Sequence, residues 1–326
     1  MQRNVIYYGQ EAELPQPLAL RAGPLELVYQ AGDLRHIRLH GRDIVRRIYF
    51  AARDADWGTA PNTIERQSVE TASRGFRVLL IAHSRMGDMG LYWQADIKGA
   101  ADGTISYQVN ARAERTFLSN RVGLCLLHPA PECAGARCRV THSDGSVEEG
   151  RLPERIAPHQ PFGDICAFSY ELSDGVWVTA TLAGDTFEME DQRNWTDASW
   201  KTYSRPLALP RPVEIVAGQR IVQSVTIQLE TEQREIFAVP ATRPAPPELE
   251  VRAEARVSAS EGAVLPPIGL AEGDAPAQGS TDGPDAVARL QALQLAHLRV
   301  ALAPDTPAVE LARWAGEARA LSLPLE

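Results

Sequence analysis

The chain is almost without lysine. Of 33 basic residues in 326, only Lys98 and Lys201 are lysines and the remainder are arginines, a usage that reads as the coding bias of a GC-rich bacterial genome. It leaves Lys201 conspicuous. A net charge of −9 supplies no basic stripe to neutralise phosphates, which excludes a nucleic-acid partner. Cysteine is scarce too. Cys125, Cys133, Cys138 and Cys166 contain no C-x-x-C pair, so they read as small core residues of a reducing compartment and not as a disulfide framework. No apolar run approaches the ~18 residues a spanning helix needs. The opening MQRNVIYYGQEAEL has no apolar stretch behind a basic start, as a secretory signal would. These absences predict a cytoplasmic protein with no membrane partner.

What is present is a long series of short β-type runs from Leu18 to about Leu229, broken by Gly, Pro, Asp and Asn. Ile105, Tyr107, Val109 and Ala111 alternate with Ser106, Gln108, Asn110 and Arg112, the period of a half-buried strand. Val176, Val178, Ala180 and Leu182 do the same, as do Val225, Ile227 and Leu229. Further strands are predicted at Leu25 to Tyr29, Leu34 to Leu39, Phe76 to Ala82, Leu91 to Ile97, Val122 to Leu127, Arg137 to His142 and Ile165 to Tyr170. No three-turn amphipathic helix interrupts them. The fold class is therefore mainly β, a large antiparallel β-sandwich over residues 1–238. Pro240, Pro244, Pro246 and Pro247 then mark a stiff linker over 239–263. From 264 to 326 the pattern alternates: strand at Leu265 to Leu270, helix from Asp285, strand at His297 to Ala303, helix from Pro307 to Leu321, with Val309, Leu311, Ala312, Ala315 and Leu321 on its apolar face. That order begins a parallel α/β unit.

The densest chemistry lies in FEMEDQRNWTDASWKTY, Phe187 to Tyr203. Phe187 and Met189 alternate with Glu188 and Glu190, so a packed face aims the two carboxylates together the other way. Glu188, Glu190 and Asp191 are the candidate acids and bases, and the residues after them read as an ordered loop. Arg193 and Lys201 suit an anion, while Asn194, Trp195, Asp197 and Tyr203 suit a polyol, with Trp200 a further aromatic platform. The plain structural alternative is a salt-bridge network that fixes a long connection. His142 and His159 are added as binding candidates: His142 precedes the hairpin turn Ser143-Asp144-Gly145, and His159, with Gln160 and Asp164, follows Pro158 in a rigid segment. Asp54, Asp56 and Trp57 form either a turn or a ligand rim. His128, Cys133, Cys138 and His142 make an H-x4-C-x4-C-x3-H series looser than structural zinc spacings, and no metal is expected there.

EDQRNWTDAS and KTY in that segment resemble the signature of the D-apionate lactonase family, bacterial enzymes that open a branched-sugar lactone to its acid. RDADWGT at Arg53 to Thr59, NRVGLCLLHP at Asn120 to Pro129, HSDG at His142 to Gly145 and PHQPFGDI at Pro158 to Ile165 are similar to it as well. The resemblance implies a β-sandwich, then a (β/α) TIM barrel, then a small C-terminal domain, acting in apiose catabolism on a small sugar lactone without a cofactor. Because this sequence stops at Glu326, it implies an incomplete barrel of two βα units and a chain inactive by itself. Two other functions fit the same residues. One is a non-catalytic carbohydrate-binding module in which Trp195, Trp200 and Tyr203 stack on sugar. The other is an epimerase-like sandwich pairing His142 or His159 with Glu190.

Overall fold

The computed structural model describes residues 13–231, 269–271, 284–300 and 306–325. The linker predicted at 239–263 lies outside the described residues, as does most of the polar stretch that follows it. The chain divides into two compact units, Met1–Ala245 and Pro246–Glu326.

Alternation builds the first unit. Ile105–Ala113 buries every second residue, and its outward partners Gln108, Asn110 and Arg112 stay wet. Each strand can bury its apolar half only against another, and side chains from nearly every strand merge into one core. Full burial of each large side chain contributes about 1.5–3 kcal/mol. Several polar tips inside this core are satisfied: Tyr107 donates to Gly32 O at 2.6 Å, Tyr170 to Ile44 O at 2.7 Å, and Trp93 Nε1 to Ser84 Oγ at 3.0 Å, whereas the buried Trp200 Nε1 has no hydrogen-bond partner among the described residues.

The sandwich expectation needs refinement, because the two layers are not separate. Among the described residues, the 17 strands of this unit belong to one hydrogen-bonded sheet, in which every recorded pairing is antiparallel and which folds back over the shared core. The joint is Phe117–Pro129. One edge pairs with Arg42–Asp54, through contacts that include Arg47 with Leu127 and Arg53 with Arg121. Its other edge pairs with Ser199–Tyr203 and, further along, with Val213–Ile215. Between those two partners the chain leaves the sheet, so residues 120–124 have no strand on that side. There the Gln223 side chain takes over, its Oε1 accepting from Leu124 N at 2.8 Å and its Nε2 donating to Ser204 Oγ at 2.8 Å. A Cβ on Gly123 would run into both of these side chains, so glycine lets them approach.

In the second unit Leu270–Ala271 and Leu298–Arg299 pair in parallel, the helices Pro284–Ala292 and Ala308–Leu321 follow them in turn, and Leu325 bridges to Leu298 in parallel. The predicted strand-helix-strand-helix order is therefore present. The packed face of the last helix differs from expectation: Trp314 and Ala318 are buried, four apart on one side, whereas Val309 and Leu311 are exposed.

Candidate functional site: a cationic hollow on the sheet joint

The segment after Asp191 is more regular than its sequence suggests. Gln192–Trp195 forms one 3-10 turn, Thr196 takes the left-handed conformation at φ 65°, and Ser199–Tyr203 is a strand. Its pairing with Phe187–Asp191 sets Lys201 opposite Glu190 and Tyr203 opposite Glu188. Because opposed residues share a face, both glutamates, Lys201 and Tyr203 project together, as the alternation predicted for the carboxylates. Asp191 projects the other way, with Trp200 opposite it.

That difference sorts the three acidic candidates. Glu190 lines a hollow of about 510 Å³ with Arg53, Trp57, Arg121, Gln192, Trp195, Lys201, Leu207 and Arg211. Glu188 does not line it. Its Oε1 accepts from the Tyr203 hydroxyl and, at 2.6 Å, from Leu207 N, so it fastens the outgoing loop to the strand. Asp191 closes a strut on the opposite face. It accepts from Arg193 Nε at 2.9 Å, Arg193 Nη2 at 2.8 Å, and the backbone N–H groups of Arg193 and Ala157 at 3.0 and 2.8 Å. Burial raises its pKa, but these donors more than offset that and hold it below the usual carboxylate value.

The binding candidates separate just as sharply. Arg193 is consumed by Asp191 and by the carbonyls of Pro153, Glu154 and Arg155, and Asn194 donates to Ala157 O and Asp191 O. Asp197 faces Arg46 at 3.8 Å, and Trp200 is fully buried beneath Arg193, so neither meets the hollow. Tyr203 is buried, with the Arg121 guanidinium 3.5 Å above its ring, which closes that ring to stacking by a sugar. Burial, followed by the neighbouring Glu190 charge, raises its pKa. Lys201 and Trp195 do reach the hollow, and Trp195 is 64% exposed at its rim.

His142 and His159 do not line the hollow with Glu190. His142 is engaged with Asp164 O at 3.2 Å and Glu148 at 3.5 Å beside its hairpin turn, and His159 is exposed. Asp164 accepts from Ser143 N and Oγ, tying that turn down. His128 is buried, with Nε2 2.9 Å from Thr202 Oγ1 and its ring edge-on to Phe168. Burial pulls its pKa down to about 3. Cys133 and Cys138 are buried, and all four cysteines are free thiols. Among the described residues no group of three His, Cys, Asp or Glu side chains is placed to hold a metal ion.

Of the remaining lining, Trp57 was weighed in the sequence as part of a turn or a ligand rim, and Arg53, Arg121, Leu207 and Arg211 were not singled out as a site. Asp54 accepts from the Asp56 and Gly58 N–H groups and shapes a tight turn, which throws Trp57 over the hollow. Arg53 and Arg121 stand opposite one another across the joint, and Leu207 and Arg211 belong to the loop that leaves the sheet. Their signal was present, since RDADWGT contains Arg53 and Trp57 and NRVGLCLLHP contains Arg121. Only the pairing of those strands unites them.

At the floor, Glu190 Oε1 receives Lys201 Nζ, Gln192 Nε2 at 2.9 Å and Arg121 Nη1 at 3.7 Å. All three approach the same oxygen. Arg121 is only 8% exposed, and its Nε, fully buried, has no hydrogen-bond partner among the described residues. The arrangement offers a carboxylate, several cationic donors and two tryptophan faces to a small polar molecule.

Comparison with known proteins agrees with the motifs. Residues 5–232 match the family described as D-apionate lactonase, N-terminal domain. A D-apionate lactonase of Brucella anthropi is 40% identical over 226 residues, which cover 68% of this chain and 37% of the relative's length. Among solved structures, a putative aldose 1-epimerase of Escherichia coli K12 gives a TM-score of 0.45 at 12% identity, covering 66% of this chain and 99% of that one. A galactose 1-epimerase of Lactobacillus acidophilus gives 0.44 at 7%, covering 68% and 96%. Likeness at that level says nothing about chemistry. The family match extends over most of the chain, and the chain belongs to the D-apionate lactonase family through its N-terminal domain.

Proposed function

We propose that this chain supplies the β-rich part of a lactone hydrolase, one that opens a sugar-derived lactone such as D-apionolactone to its aldonic acid. Water is the second substrate and no cofactor enters. The observation that carries the reading is the floor of the hollow, where the Glu190 carboxylate meets Lys201 and Arg121. Lactone hydrolysis needs an acceptor for a water proton and donors for the tetrahedral oxyanion. The Glu190 carboxylate is the acceptor, and the Lys201 ammonium and Arg121 guanidinium are the donors. The proton taken from water passes to the ring oxygen as its bond to the carbonyl carbon breaks, leaving it as a hydroxyl. Trp57 and Trp195 supply apolar faces for sugar carbons. The chain spans about 37% of the length of the curated relative it matches, and the parallel βα order after residue 269 is that of a barrel's opening units, whose strand ends would add further walls.

The test is acid release at constant pH with purified protein and D-apionolactone. A rate above the spontaneous one that drops by about 10²-fold or more in Glu190→Gln supports the assignment, and an unchanged rate removes Glu190 from the chemistry. The exposed tryptophan rim favours one second reading, sugar recognition without turnover. That reading stands if the lactone binds and neither this chain nor a full-length relative exceeds the spontaneous rate.

A further inference from the structure

The lining of the hollow carries more positive charge than its one acid can neutralise. Arg53, Arg121, Lys201 and Arg211 face Glu190 alone. Building on the lactone-hydrolase reading, we infer that the hollow is a carboxylate subsite, which holds the polyhydroxy acid that hydrolysis releases in preference to the neutral lactone.

Like charges set directly opposite on a sheet repel, and Arg53 and Arg121 are such a pair. A purely structural network would cancel them, as Asp191 cancels Arg193 on the opposite face. Here it does not happen. Lys201 takes Glu190 Oε1 at close range, while Arg121 stays 3.7 Å from it, beyond a hydrogen bond. Taking a guanidinium from water without hydrogen-bond partners is costly, and Arg121 is buried in that condition with its Nε unsatisfied. Its compensation within the chain is aromatic: the ring of Tyr203 at 3.5 Å and that of Trp57 at 5.0 Å. The Trp57 ring centroid also lies 5.9 Å from the Arg211 guanidinium, so one ring neighbours both arginines.

A carboxylate is the anion that fits a guanidinium fork side by side. The rest of the lining suits its polyol tail. Gln192 and the Glu190 carboxylate are hydrogen-bonding groups for hydroxyls, and Trp195 covers carbon. The hollow's volume of about 510 Å³ exceeds what a bare carboxylate or inorganic anion fills. A lactone carries no charge and gains less from four cationic side chains set around one carboxylate than its hydrolysis product does. The subsite therefore retains product, and more strongly at low ionic strength, because charges at an open mouth are screened by salt.

Calorimetric titration of the protein with D-apionate, D-apionolactone, acetate and inorganic phosphate decides the matter. Apionate should bind at least about tenfold tighter than the lactone, acetate or phosphate, the scale of one charge-assisted hydrogen bond, and should weaken as salt is raised. Arg211→Gln, at an exposed position, and Arg53→Gln should each weaken apionate by a similar factor with no shift in the thermal midpoint, and Arg121→Lys tests the fork while keeping the charge. Lactone binding as tight as the acid overturns the inference, as does phosphate binding equal to apionate or no acid binding at all. Hydrolysis is read separately, on this chain and on a full-length relative. Turnover without acid binding refutes the subsite and leaves the hydrolase, and acid binding without turnover in either protein keeps the subsite and refutes the hydrolase.

Discussion

Lys201 and Glu190 stand directly opposite one another on neighbouring antiparallel strands, and their side chains meet as an ion pair less than a tenth exposed. The strand pairing itself aims both groups at the hollow. A buried pair of this kind contributes little net stability when intact, yet losing one partner strands the other charge.

Lys201→Met should therefore destabilise the protein by about 3–5 kcal/mol, whereas Lys201→Met combined with Glu190→Leu should recover most of that loss. Urea unfolding of the single and double variants measures it. A single-variant loss below about 1 kcal/mol would show that the pair is effectively solvated.

Asp191 serves the fold and not the hollow. Its folded pKa is lowered, so its stabilisation is fully present above the unfolded value of about 3.9 and disappears as pH falls through the lower folded value. Asp191→Asn should cost about 1–3 kcal/mol at neutral pH, and the gap to the parent should close on acidification below about pH 4. Acid release and ligand affinity should be unchanged at neutral pH. An activity loss greater than the unfolded fraction explains would return Asp191 to the site.

His128 has a depressed pKa of about 3, set by burial. The unfolded chain then binds a proton that the native one refuses, so its contribution is complete above about pH 6.5 and is lost as pH falls towards 3, at up to about 1.4 kcal/mol per unit. His128→Gln, able to keep the bond to Thr202, should flatten stability against pH across that window. Parallel curves for parent and variant in chemical denaturation would contradict a buried neutral imidazole.

Trp195 is the rim residue with least to do in the fold. Trp195→Ala should leave stability within about 0.5 kcal/mol, as expected for an exposed position, and weaken sugar-acid binding through loss of its face. Trp57→Ala should weaken binding further, because that ring also lies beside Arg121 and Arg211. Unaltered affinity in both variants would exclude the tryptophans from recognition.

Much of the fold was legible because burial imposes a period of two on a strand that is wet on one side. Ile105–Ala113 obeys it throughout, Val176–Ala183 only in its last residues because the first five are all buried, and Glu188 and Glu190 were correctly paired by the same rule. The rule, carried one residue further, also puts Asp191 with Phe187 and Met189 on the opposite face, where the Arg193 strut lies. Ser199–Tyr203 escaped recognition because it is buried on both faces, and a strand buried on both sides has no alternation to betray it. Arg42–Asp54 was missed although it is half of the joint, since its burial is irregular along thirteen residues.

From the order of its residues alone this chain was determined to be mainly β, to carry parallel βα units after it, to belong with the D-apionate lactonases and to concentrate acid, amide and aromatic groups between Phe187 and Tyr203. The tertiary structure decided which of those groups converge. Arg53, Arg121 and the pair Lys201 and Arg211 come from three separate stretches of the chain, and their meeting depends on strand register and on the exit of the chain from the sheet after Tyr203. Register is a property of paired strands, so no single segment encodes it, and the hollow exists only where one edge of Phe117–Pro129 is left without a neighbour.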